Sequence, residues 1–338
     1  MRGLLALAAP FVALLVGVGL LRYVTSDGQR PTDGASTCRD SAAGQDLFVD
    51  GWWNRRIAVT VGTRLCTADP GTGAWSVVPA AKAGAYVSDG ATLAGGGDDV
   101  VLSFVIADGT ERLIPLGPWG NDWSAWGRTM SVAPGGGYVL GLLPQLVAIS
   151  LDGRVTEGPL PDGYLVLAAT SQPDTFILRK DDRAAPEAMQ GPFSAYLWRR
   201  DGDPPRAVMQ NVWSARSAEG GLAWLEGNAG AWHFLDADGK PGPVLTPRAG
   251  SAYDPDPSGE LVVEATVIAA GCEDMSPPSC ETRLIDTVRG SVLASCRCAA
   301  QSIRWSADGV AFSTVMDSGA NGLMVLTRNG AIQIPLPS

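Results

Sequence analysis

The stretch Ser302-Ile303-Arg304-Trp305-Ser306, Ala307-Asp308-Gly309, Val310-Ala311-Phe312-Ser313-Thr314-Val315, followed by Leu323-Met324-Val325-Leu326 and Ala331-Ile332-Gln333-Ile334, decides the fold. It reads as four short β runs separated by turns. Asp308-Gly309 and Asn329-Gly330 supply the positive φ angles that tight hairpins need. A lone four-stranded sheet of this kind leaves apolar surface on both faces and must pack against further sheets.

Working backwards from that unit, the same hairpin recurs. Leu65 to Val78 turns around Asp69-Pro70-Gly71-Thr72-Gly73, Val101 to Leu116 at Asp108-Gly109, and Gln145 to Leu160 at Asp152-Gly153. Ala195 to Met209 turns at Asp201-Gly202, Ala231 to Leu245 at Asp238-Gly239, Arg283 to Leu293 at Arg289-Gly290, and Gly322 to Leu336 at Asn329-Gly330. The turn glycines 71, 109, 153, 202, 239, 290 and 330 are spaced by 38, 44, 49, 37, 51 and 40 residues. That brackets the roughly 40–45 residues of a four-stranded propeller blade. A weaker hairpin precedes each one, so residues 46–338 are predicted to form an all-β, seven-bladed β-propeller. Eleven tryptophans, among them Trp213 and Trp305, are large enough to fill the widening space between blades.

Trp305-Ser306-Ala307-Asp308-Gly309-Val310-Ala311-Phe312 resembles the W-S-P-D-G-x-x-I-A-F signature of TolB-like, WD40-like propeller repeats. Ala307 stands where the proline is usual, and one residue is missing before Ala311-Phe312. Tyr86-Val87-Ser88-Asp89-Gly90 and Asp256-Pro257-Ser258-Gly259-Glu260-Leu261-Val262-Val263 are fainter copies. The resemblance implies a bacterial extracytoplasmic propeller of the kind that typically serves as an interaction platform. It says more about the fold than about any partner.

The N-terminus points to the same compartment. Leu4 to Leu21 carries no charge, a length of 18 residues that as a helix spans about 27 Å, close to a hydrocarbon core. No small-x-small cleavage signal follows it, so residues 1–22 are read as a retained membrane anchor rather than a cleaved signal peptide. Residues 23–45, rich in small and polar side chains, are read as a flexible stalk. All six cysteines, Cys38, Cys66, Cys272, Cys280, Cys296 and Cys298, follow the apolar segment, and their even number fits disulfides outside the cytoplasm. Hairpin register brings Cys280 close to Cys298; the connectivity stays open. The chain is thus expected at the cell membrane, single-pass, with the propeller on the extracytoplasmic side.

Charge excludes one partner class. Asp and Glu total 35 against 25 for Lys and Arg, a net charge of -10, which disfavours a protein that tracks nucleic-acid phosphates. A hydrophobic share of 46% excludes a disordered chain. The single histidine, His233, lies in the run Ala231 to Leu235 and reads as a hydrogen-bonded strand residue rather than a catalytic base. No metal or cofactor site is expected, because with one histidine and no Cys-x-x-Cys a zinc centre lacks ligands. Asp254-Pro255-Asp256-Pro257-Ser258-Gly259 opens like a calcium loop, but Ala265 stands where its glutamate belongs, so a strand-connecting turn is expected. Thr67 to Trp75 resembles an Asp-box hairpin with one residue too many and no second copy.

In a four-stranded blade the tight hairpins share one side of the disc, while the connections between strands two and three and between blades share the other. The long irregular segments, 117–128, 181–194 and 270–280, all fall on this second, loop-rich side, where binding concentrates. Trp119, Asn121, Asp122, Trp123 and Trp126 form the densest aromatic and polar constellation; it either stacks on sugars or anchors a protein, or plugs the space over the channel. Lys180, Asp181, Asp182 and Arg183, with Glu273 and Asp274, complete the candidate binding set. The leading expectation is a module that binds or scaffolds an envelope protein or a glycan. The alternative is a carboxylate-dependent glycan hydrolase or lyase at the channel top, using some of Asp122, Asp174, Asp254, Glu264 and Glu273.

Overall fold

The computed structural model describes residue 38 and residues 47–62, 64–78, 86–88, 92–95, 101–105, 111–115, 128–133, 136–142, 145–152, 154–170, 172, 174–180, 192–200, 202, 204–218, 221–227, 230–235, 240–249, 251–267, 280–307, 309–315 and 321–336. The expected anchor and stalk lie outside these residues, apart from Cys38.

Nearly everything described is β-strand. The first sheet is β1 (Leu47–Trp53), β2 (Arg56–Val61), β3 (Arg64–Ala68) and β4 (Trp75–Val77); the second is β5 (Tyr86–Ser88), β6 (Leu93–Gly95), β7 (Val101–Val105) and β8 (Glu111–Pro115). The third is β9 (Arg128–Val132), β10 (Tyr138–Leu142), β11 (Gln145–Ile149) and β12 (Val155–Pro159). A seven-stranded sheet follows: β13 (Tyr164–Ala169), β14 (Thr175–Lys180), β15 (Phe193–Arg199), β16 (Arg206–Ala218), β17 (Gly221–Glu226), β18 (Trp232–Leu235) and β19 (Pro241–Leu245). The fifth sheet is β20 (Ser251–Pro255), β21 (Leu261–Val267), β22 (Cys280–Asp286) and β23 (Ser291–Cys296). The sixth is β24 (Gln301–Ser306), β25 (Gly309–Val315), β26 (Asn321–Thr327) and β27 (Gly330–Ile334).

Each sheet is an antiparallel meander in chain order, as short apolar runs joined by tight turns require. The seven hairpins expected from the Gly-centred turns coincide with β3–β4, β7–β8, β11–β12, β15–β16, β18–β19, β22–β23 and β26–β27. The turn after β22 shows the mechanism. Gly290 takes φ 65° and donates its N–H to the Asp286 carbonyl at 2.8 Å, while the Asp286 carboxylate accepts the N–H groups of Val288 and Arg289.

The seven-stranded sheet differs from a simple repeat because no loop separates β15's partner from β17's. The first half of β16 pairs with β15 through Val212, and the remainder pairs with β17 from Val212 to Ala218. Between the two registers Asn211 adopts φ 57°, and its carbonyl accepts the Gly227 N–H at 2.7 Å. Asparagine tolerates this left-handed region better than most residues, so the chain reverses within one continuous strand.

Successive sheets pack face to face. Val139, Leu146, Val166 and Leu178 join the third sheet to β13–β15; Leu261, Val263, Phe312 and Leu326 join the fifth to the sixth. The first and last sheets also meet: Val49, Ile57 and Val59 share a core with Ala311, Leu323 and Val325, and β1 lies beside both β24 and β5. Gly51 makes the second of these approaches possible, since a Cβ there would sit 2.6 Å from the Ser88 Cβ. The Ser88 hydroxyl donates to the Trp52 carbonyl across the same contact. Inner strands such as β2 and β26 thus hide both faces, which is how a ring of sheets solves the exposure of its parts.

Tryptophans fill the wedges between sheets, and their indole N–H groups reach across them. Trp232 donates to the Tyr253 carbonyl at 2.9 Å, Trp305 to the Asp254 carboxylate at 2.7 Å, and Trp75 to the Pro335 carbonyl at 2.8 Å. Trp213 and Trp305 pack, half-buried, against the cores on either side of the fifth sheet, as a core role predicts.

Candidate functional site

The strand directions assign every described residue to one end of the sheets or the other. The turns Asp256–Glu260 and Thr287–Gly290 lie together, with Thr287 donating its hydroxyl to the Gly259 carbonyl at 2.7 Å; this is the hairpin side. The starts of β13 and β20 and the ends of β14, β17 and β21 therefore lie on the opposite, loop-rich side.

Of the residues expected to bind there, Trp119, Asn121, Asp122, Trp123, Trp126, Asp181, Asp182, Arg183, Glu273 and Asp274 fall outside the described residues. Lys180 is described and lies on the loop-rich side, at the end of β14. Its ammonium sits 6.0 Å from the centre of the Tyr196 ring, and Tyr196 meets Tyr164 edge-on at 5.1 Å. Register explains the grouping, because Tyr164 pairs with Lys180 and Leu178 with Tyr196.

A second group stands at the end of β17. His233 bonds Glu226 through Nε2 at 2.8 Å and stacks on Trp224 with 5.1 Å between ring centres. This bears out a hydrogen-bonded strand histidine.

The third group is the most unusual. On the face of the fifth sheet that looks toward β16–β19, register aligns Ser251, Thr266 and Glu281 in one row and Tyr253, Glu264 and Arg283 in the next. The other face, carrying Leu261, Val263, Leu284 and Ala294, is apolar, as a sheet packed against another should be. Glu264 is only 1% exposed. The Arg283 guanidinium lies 3.7 Å from it and Arg248, from the connection into β20, lies 4.0 Å away. A buried carboxylate is costly unless charged or hydrogen-bonding groups face it, and here Arg283, Arg248 and the Tyr253 hydroxyl do. Arg283 also bonds Glu281, and the Ser251 and Thr266 hydroxyls bond each other at 3.0 Å. Burial, then the negative charge of Glu264, push the Tyr253 hydroxyl above the ordinary phenol range, with Arg248 pulling the other way.

Of the five carboxylates named for the hydrolytic alternative, Asp122 and Glu273 lie outside the described residues, and the three described ones, Asp174, Asp254 and Glu264, are scattered. Asp174 has φ 52° in the β13–β14 turn on the hairpin side, where it faces Arg200 at 3.9 Å. Asp254 points to the opposite face of the fifth sheet from Glu264, toward Trp305. The run beginning at Asp254 is a strand end and turn, with Asp256 accepting the Leu261 N–H and the Ser258 hydroxyl. Asp69 of the Asp-box-like hairpin caps its own turn through the Gly71 and Thr72 N–H groups. Among the described residues no three His, Cys, Asp or Glu side chains gather so as to hold a metal ion.

Cys38 pairs with Cys66, and Cys296 with Cys298. Cys280 is also oxidised, and Cys272 lies outside the described residues. Register does bring β22 beside Cys298, since Thr282 donates to the Cys298 carbonyl at 2.7 Å, but the Cys298 sulfur takes its near neighbour Cys296 rather than Cys280.

The fold is propeller-type. Virginiamycin B lyase from Staphylococcus aureus superposes with a TM-score of 0.51 at 9% identity, over 83% of this chain and 95% of the lyase. Puromycin hydrolase matches at 0.54 and 16%, over 90% of this chain and 55% of that one. PorZ, a surface component of the type-IX secretion system of Porphyromonas gingivalis, matches at 0.55 and 10%, over 86% of this chain and 38% of that one. The chain therefore spans only part of the last two. No family model and no curated protein matches the sequence.

Proposed function

We propose that this chain is a seven-bladed, TolB-like bacterial propeller, anchored in the cell membrane by residues 4–21 with the disc on the extracytoplasmic side. There it works as a binding or scaffolding module for an envelope protein or glycan, through its loop-rich face. Dividing the seven-stranded sheet at β16 gives two four-stranded blades and brings the total to seven. One observation carries the functional reading: three successive blades, at Lys180, His233 and Arg248, each raise charged and aromatic side chains to the same side. The dispersal of Asp174, Asp254 and Glu264 over different faces favours binding over paired-carboxylate hydrolysis.

The test uses the full-length chain in detergent, immobilised and presented with envelope proteins and envelope glycans. Replacing Trp119, Trp123 and Trp126 by Ala, or Lys180 by Ala, is expected to reduce capture with the circular dichroism spectrum unchanged. Capture unaffected by either change overturns the role of the face. The anchor is tested by mass spectrometry of the membrane fraction, where a chain retaining residues 1–22 is expected and one starting beyond residue 22 overturns it.

A further inference from the structure

The fifth sheet carries a polar half-face. Between β16–β19 and β20–β23 the two rows nearest the loop-rich side carry hydroxyls, carboxylates and guanidinium groups, where the opposite face of the same sheet is apolar. Such local violations mark functional positions more often than packing errors. Deeper in the same seam the contact becomes ordinary: Trp213 and Tyr253 pack, half-buried, with Ala223, Leu225 and Phe234.

The chemistry converges on one kind of ligand. Glu264, at 1% exposure, is out of reach of solvent, and its charge draws two arginines to the mouth of the seam. Arg283 is committed to Glu264 and Glu281. Arg248 is different: it is 66% exposed and turns only Nε toward Glu264. Its planar fork suits a carboxylate, which a guanidinium grips through two parallel bonds. Beside it stand the Ser251 and Thr266 hydroxyls and the Glu281 carboxylate, donors and acceptors for ligand hydroxyls, with the Tyr253 ring behind them.

We propose that this seam is a binding site for an acidic saccharide of the uronate class, with Arg248 gripping the sugar carboxylate and Glu264 positioning Arg248 and Arg283 from behind. The site rests on the reading of the loop-rich face as a recognition surface and gives that face a ligand.

Titration calorimetry of the full-length chain in detergent with tri-galacturonate tests it, using the fully methyl-esterified trisaccharide as the uncharged control. The expected result is binding of the acid form, with the ester and the Arg248→Ala variant each at least about tenfold weaker. Glu264→Gln is expected to weaken binding several-fold; Arg248→Ala, being at an exposed side chain, gives the answer even if that variant folds poorly. No binding at millimolar acid, equal binding of acid and ester, or full binding by Arg248→Ala overturns the site. If Arg248→Ala still captures envelope material as well as the parent chain does, the site fails while the broader reading of the face stands.

Discussion

Trp52 donates its indole N–H to the carbonyl of Arg304, 252 residues later, at 3.1 Å, and the Arg304 Nε returns a bond to the Asp50 carbonyl at 3.0 Å. These two bonds tie the first strand of the first sheet to the first strand of the last. Trp52→Phe removes one bond and keeps most of the packing, an expected loss of about 1 kcal/mol. Trp52→Ala also empties part of the shared core, at a cost of about 3–5 kcal/mol. Urea unfolding monitored by circular dichroism distinguishes the two.

Gly51 sits where β1 and β5 touch. Gly51→Ala forces a methyl group against Ser88, so the sheets must part, and a destabilisation of about 1–3 kcal/mol is expected. The same substitution at Gly290, where nothing lies within 4 Å, costs only the strain of its φ angle. Thermal melting of both variants checks the contrast.

The Cys38–Cys66 bridge closes a separation of 28 residues around β1 and β2. Cys38→Ser with Cys66→Ser is expected to lower stability by about 2–4 kcal/mol, chiefly by freeing the unfolded chain. Reductant should lower the melting temperature of the parent chain more than that of the double variant.

Two turn aspartates give a sign for acid sensitivity. Backbone N–H groups of Thr72 and Gly71 hold Asp69 below the ordinary aspartate range, and the Ser150 hydroxyl, then the Arg154 N–H, do the same for Asp152. Folded values below unfolded ones mean that their contribution is present above the ordinary aspartate pKa and fades as pH falls through the lowered values. Carboxyl NMR titration should find both midpoints depressed, and Asp69→Asn should flatten the acid side of the stability profile.

Tyr253 offers the opposite sign. Its raised folded pKa makes the protein lose stability as pH climbs past the ordinary phenol value, where only the unfolded chain ionises. Glu264→Gln is expected to bring the phenolate absorbance midpoint down, and Arg248→Ala to move it further up.

The hairpins were legible because Gly-centred turns are local chemistry: five Asp-Gly or Asn-Gly pairs, with Asp69-Pro70-Gly71 and Arg289-Gly290, announce seven strand reversals without reference to anything distant. The reversal at Asn211 was not legible, since no glycine, proline or loop marks it and the φ of one asparagine decides it. Lys180 and His233 were singled out from their own neighbourhoods, whereas Tyr164, Tyr196, Glu226 and Trp224 join them only through register. The fifth-sheet group was hidden for the same reason. Ser251-Ala252-Tyr253, Val263-Glu264-Ala265 and Glu281-Thr282-Arg283 look like three ordinary half-polar strands until pairing puts their polar residues on one face. The one hint is Glu264 itself, the single charge in the run Leu261–Val267. Cystine pairing was equally out of view, because Cys296 and Cys298 compete with a strand neighbour that sequence spacing cannot rank.

Among the described residues no strand is exchanged between the first and last sheets; side-chain packing and side-chain bonds to backbone carbonyls hold that joint. Tension arriving along the chain ahead of Cys38 passes through the disulfide directly into β3, leaving β1 inside a slack covalent loop. The strand that seals the joint is therefore spared the pull, and whatever tugs on the leading segment must tear at the middle of a sheet before it can peel the ring open.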